Sequence, residues 1–169
     1  MTEPGSGPGS GDEIARLQAV NACGVIDTPR ETSFDSIVFT AAQLFRVPMA
    51  MLAFVTQDRV WLKSCVGPLP SEWPRQESFC TVVVDHNQML VVEDTTIDSK
   101  YAQAPMVGHA PNVRFYAGIP ILGAGNQPIG TLSVLDRHPR TVPERARTQL
   151  QQLAREAEDL LKRRAPMDY

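Results

Sequence analysis

Apolar positions change their period along the chain, and each change marks an element. From Asp12, Ile14, Leu17 and Val20 recur at helical spacing, and Gly24 offers a left-handed stop. Thr28-Pro29-Arg30-Glu31 carries the cap, first-turn proline and capping-box glutamate of a second helix start. Phe34, Ile37, Val38, Ala41, Leu44 and Phe45 form that helix's apolar face up to Pro48. Met49 to Val55 is apolar at every position, which predicts a strand covered on both faces. The turn Gln57-Asp58-Arg59 leads to a second strand, Val60 to Val66, antiparallel because so short a link cannot make a crossover.

After Gly67, the prolines Pro68, Pro70 and Pro74 predict a loop without regular structure. Glu77 to Asn87 supports two readings: Thr81-Val-Val-Val84 favours a strand, whereas Ser78 can cap a helix. Met89 to Val92 reads as a strand, Asp94 to Pro111 as a long loop with one helical turn, and Val113 to Leu122 as a strand. Gly123 to Pro128 turns into the strand Ile129 to Leu135, so the Gly123-Ala-Gly125 pair serves a hairpin rather than a dinucleotide site. Thr141-Val-Pro-Glu144 forms a second capping box, followed by a stripe of Ala146, Leu150, Leu153, Ala157 and Leu160 at spacings of four and three. The order predicts an α+β domain built on a largely antiparallel sheet.

Composition narrows the function classes. The 169 residues, 43% hydrophobic and 21% charged, suit one globular domain over 12–164, with a flexible Gly/Pro/Ser tail at 1–11 and a short tail at 165–169. Sixteen basic against 19 acidic side chains give a net charge of −3, without the basic excess that nucleic-acid binding requires. No apolar run spans a bilayer and no basic-then-apolar leader follows Met1, so the expectation is a cytoplasmic protein with no membrane contact. Cys23, Cys65 and Cys80 are odd in number and lack C-x-x-C spacing, which predicts free thiols and no zinc site.

Arg114-Phe-Tyr-Ala-Gly-Ile-Pro120 followed by Gly130-Thr-Leu-Ser-Val-Leu-Asp136 resembles the paired late strands of a GAF domain. Asp27-Thr-Pro29, Phe34-Asp35, Val47-Pro48, Arg59-Val-Trp61, Ser78-Phe-Cys80 and Val92-Glu-Asp94 extend the resemblance over about residues 14 to 160. It implies a central antiparallel sheet of five to six strands, the N- and C-terminal helices on one face and a small-molecule pocket under loops and short helices on the other. It also implies that Ser78 to Val84 starts as a helix despite its valines. The family implies a sensory or regulatory module acting through a partner, such as a histidine kinase or diguanylate cyclase, and no cofactor is expected.

By this resemblance the candidate ligand-binding residues are Cys80, Asp94, Arg114, Tyr116, Phe79, Trp61 and Phe54. Cys80, in the first turn of a helix capped by Ser78, is either a thiol with a lowered pKa or a small buried hydrophobe. Arg114 either forks onto an anion or pairs with Asp94 to fix a loop. A thiol-dependent enzyme similar to free methionine-R-sulfoxide reductases is the alternative, although its catalytic stretch would fall at His109-Ala-Pro-Asn112, which has no thiol. His86, His109 and His138 all neighbour loops, which predicts surface positions rather than haem ligation. A second alternative is a ligand-free interaction module, with a homodimer formed through the terminal helices.

Overall fold

A computed structural model describes residues 10–164, so the expected tail at 165–169 and residues 1–9 of the expected tail at 1–11 lie outside the described residues, while Ser10 and Gly11 belong to the first helix. Among the described residues, five α-helices and six strands follow one another as α1 (Ser10–Ala22), α2 (Thr32–Phe45), β1 (Met49–Val55), β2 (Arg59–Val66), β3 (Glu72–Pro74), α3 (Phe79–His86), β4 (Leu90–Val92), α4 (Pro105–Gly108), β5 (Phe115–Leu122), β6 (Pro128–Asp136) and α5 (Glu144–Arg164). The strands form one sheet in the order β3-β2-β1-β6-β5-β4, with every neighbouring pair antiparallel.

The period-2 alternation of the strands divides the interior into two cores. Ala50, Leu52 and Phe54 of β1 face α1, α2 and α5, while Met49, Met51, Ala53 and Val55 face α3 and α4. Every residue of β1 is therefore buried, as its unbroken apolar run predicts. Phe79 to His86 is helical, with the Ser78 hydroxyl accepting from the Cys80 N–H. That cap and burial of Phe79, Cys80, Val83 and Val84 against the sheet override the β-preference of the valines.

Several expectations are corrected. The proline-rich stretch contributes a sixth strand, β3, at the sheet edge, where Pro74 ends the strand and its missing N–H costs no central ladder bond. Neither capping box forms. The Thr28 hydroxyl donates to the Val25 carbonyl, Glu31 turns to Lys63 and Arg164, and α2 starts only at Thr32. At α5 the Pro143 carbonyl accepts the first helical bond, from Arg147, which leaves Thr141 outside the helix.

The face of α1 is rotated from the apolar spacing: Arg16, Ala19, Val20 and Cys23 are buried and Ile14 is 59% exposed. On α5, Leu150, Leu153, Ala154, Ala157 and Leu161 are buried in the protein's own core, and Leu160 packs only at its margin. The predicted stripe thus covers the sheet of its own chain.

Candidate functional site

Under α3 lies a closed group of polar atoms supplied by three elements. Ser133 donates to the Thr131 hydroxyl at 3.1 Å, and Thr131 donates to the Cys80 sulfur at 3.2 Å. The Tyr116 hydroxyl lies 2.7 Å from Ser133 Oγ and 3.7 Å from Cys80 Sγ. All four side chains are buried. Burial pushes the Tyr116 hydroxyl well above its ordinary pKa, and the neighbouring Cys80 adds to the rise.

Strand chemistry explains why the ring can form. Thr131 and Ser133 alternate with Gly130, Leu132 and Val134 along β6, so both hydroxyls emerge on the face beneath α3. Gly118 pairs with Ser133, and a Cβ on Gly118 would meet the Tyr116 hydroxyl at 2.3 Å and Ser133 Oγ at 2.7 Å. Absence of a side chain there lets the Tyr116 ring lie along its own strand. Phe79 covers it, with ring centroids 4.9 Å apart, and Tyr101 packs 5.1 Å from Phe79. Cys80 is the atom by which the cap helix joins the ring.

Of the seven candidate residues, the fold brings together Cys80, Phe79 and Tyr116. Phe54 and Trp61 are Cα partners across β1 and β2, but both point into the opposite core, against α1, α2 and α5. This corrects their assignment to the α3 face: residue period, not aromatic character, fixes the side. Arg114 and Asp94 lie on the rim of the sheet and form no ion pair. The Arg114 guanidinium donates to the carbonyls of Val107 at 3.0 Å and Val113 at 3.2 Å. Asp94 accepts from the N–H and hydroxyl of Thr96, bonds that hold its carboxyl below the ordinary carboxylate range, with the Arg114 charge a smaller cause. Asp94 also lines an open groove of about 590 Å³ beside β4, with Glu93, Ile97 and Arg147.

The sheet separates Cys23 from Cys65 and Cys80. Cys23 lies in the core of α1, α2 and α5, Cys80 in that of α3 and α4, and Cys65 packs at the margin of the latter; all three are free. Burial raises the Cys23 pKa. His86, His109 and His138 are all exposed. Among the described residues, no group of three or more His, Cys, Asp or Glu side chains is placed to hold a metal ion.

The sequence profile of the GAF domain matches residues 29–161. The chain belongs to the GAF domain family. This GAF domain is 31% identical over 145 residues to a cyclic di-GMP phosphodiesterase of Pseudomonas aeruginosa, covering 85% of the chain and 25% of that relative. The chain thus spans about a quarter of the relative's length. Among solved structures, the GAF domain of an Acinetobacter phosphoenolpyruvate-protein phosphotransferase aligns with a TM-score of 0.63 at 14% identity, covering 90% of this chain and 92% of that one. A free methionine-R-sulfoxide reductase from Neisseria meningitidis, solved with its substrate, aligns with a TM-score of 0.62 at 18% identity, covering 96% and 98%. At these identities the structural likeness establishes the shared fold. No described helix is long and apolar enough to cross a membrane.

Two polar features lie outside the candidate set, the first in the site and the second away from it. Thr131 and Ser133 were legible as polar residues at period 2 in an otherwise apolar strand. Arg16 and Lys63, both buried cations, had no apolar signature to reveal them.

Proposed function

We propose that this GAF domain is a sensory or regulatory module that binds a small polar molecule on the α3 face and passes its state to a partner protein. The observation that carries the reading is the Tyr116–Ser133–Thr131–Cys80 ring, a set of donors and acceptors in an apolar core whose cover is a helix of eight residues. A ligand that lifts α3 would exchange these internal hydrogen bonds for its own, so binding and helix position are linked. The candidate binding residues are Cys80, Tyr116 and Phe79 at the ring, with Arg114 and Asp94 at its outer margin. An enzyme of cyclic di-GMP turnover is the partner class the Pseudomonas relative suggests. Regulation rather than thiol catalysis accords with a fully buried Cys80 that shares its hydrogen-bond ring with hydroxyls and no second thiol.

The test is a thermal-shift and native mass spectrometry screen of amino acids, small organic acids, nucleotides and cyclic di-GMP, repeated on Tyr116→Phe. The expected result is a compound that raises the melting temperature of wild type by several degrees and of the variant by less. No stabilising compound, or equal shifts in both proteins, would overturn the reading. Turnover of free methionine-R-sulfoxide with a thiol reductant would replace it with the enzyme.

A further inference from the structure

A chain of charges passes the ends of the central strands β1 and β6 and joins the two faces of the sheet. Arg16 of α1, 1% exposed, donates to the Val55 carbonyl at the end of β1 (2.8 Å) and the Pro128 carbonyl at the start of β6 (3.3 Å). Its guanidinium also forms a two-point contact with the Glu13 carboxylate, at 3.0 and 3.2 Å. The same carboxylate accepts from Arg75 at 2.7 and 3.4 Å.

Arg75 stands just ahead of α3 and is tied into it. Its guanidinium lies 3.6 Å from the Asp85 carboxylate of α3, and its carbonyl accepts from the Thr81 hydroxyl of the same helix. It also donates to the Thr56 carbonyl in the β1–β2 turn at 3.2 Å. Among the described residues, Glu13 is the one acidic side chain paired with Arg16. Removing it would leave two guanidinium groups facing each other, one of them buried without a counter-charge.

We propose that the Glu13 carboxylate couples α1 to α3, so that the helix on one face and the cap on the other loosen together. Displacement of α3 pulls Arg75 from Glu13, and the Glu13–Arg16 pair that seats α1 then loses its shared partner. By linkage the coupling is reciprocal: loosening α1 weakens the hold on α3 by the same free energy. The use of this link to transmit a signal rests on the sensory reading above, whereas the link itself is a property of the ligand-free chain.

Amide hydrogen exchange of the full chain without ligand tests it, using wild type, Glu13→Gln and Arg75→Lys. Glu13→Gln is expected to speed exchange at least tenfold in residues 79–86 of α3 as well as in α1, with β5 and β6 unchanged. Arg75→Lys keeps the charge and loses the planar fork, and it should speed exchange in α1 severalfold although it lies outside that helix. Should Glu13→Gln fail to fold, the Arg75→Lys measurement decides alone. Acceleration confined to the mutated element, or an equal change in all elements, overturns the coupling. A failed ligand screen leaves this result standing, and a failed exchange experiment leaves the ligand reading standing.

Discussion

Lys63 reaches Glu31 with its Nζ 2.7 Å from the carboxylate, while its side chain is 0% exposed. Leu52 pairs with Ser64 and Ala53 with Leu62, so Lys63 is the extra residue of a β-bulge in β2. The bulge turns the ammonium under the α1–α2 connection, where it also donates to the Thr28 hydroxyl at 2.7 Å and the Pro29 carbonyl. Glu31 in turn binds Arg164 at 2.7 Å, fastening the end of α5 to the same point.

Glu31→Gln should therefore cost about 1–3 kcal/mol, the scale of a charged hydrogen bond lost beside a buried group. Lys63→Met added to that variant should recover part of the loss, because an apolar side chain needs no counter-charge. Urea denaturation of wild type, single and double variants measures both; a double variant less stable than Glu31→Gln alone would contradict the account.

Glu13 makes stability depend on acid. Burial by itself would raise its pKa, but hydrogen bonds from Arg16 and Arg75 outweigh that and lower it from 4.5 to about 2. The lowered folded-state value means its contribution is fully present above about pH 4.5 and is lost as pH falls toward 2. The Glu13→Gln variant should show a flatter stability curve over that interval, measured by urea denaturation at successive pH values.

Gly118→Ala should destabilise by about 1–3 kcal/mol, the usual range for overfilling a packed site. The added methyl group would displace the Tyr116 hydroxyl from Ser133, so the near-ultraviolet circular dichroism of the tyrosines should change while the far-ultraviolet signal is kept. An unchanged near-ultraviolet spectrum would show that the ring of polar atoms does not depend on this glycine.

Native alkylation with iodoacetamide should label Cys65 first, since it is half-buried, and leave Cys23 and Cys80 unmodified until denaturant is added. Peptide mass spectrometry at successive times gives the order. Rapid labelling of Cys80 in the native state would show that α3 opens readily.

The sequence by itself determined the elements whose signals are local. The apolar run at Met49 to Val55, the period of Phe34 to Phe45, the turn at 57–59 and the motif strands at 114–120 and 130–136 specify a two-sided antiparallel sheet and the GAF family. It also marked Cys80 and Tyr116, because a capped helix start and a strand motif are read within a few residues. Tertiary structure alone decided which sheet face each residue serves, and so separated Phe54 and Trp61 from Tyr116. It alone turned α1 so that Arg16 rather than Ile14 is buried, since the carbonyls of Val55 and Pro128 that receive Arg16 lie 39 and 112 residues away. Capping failed as a guide at Glu31 for the same reason: a carboxylate goes to the strongest partner folding brings near, and for Glu31 those were Lys63 and Arg164. Local pattern fixes what a segment is; the unpaired charges and carbonyls of distant segments fix where its side chains end.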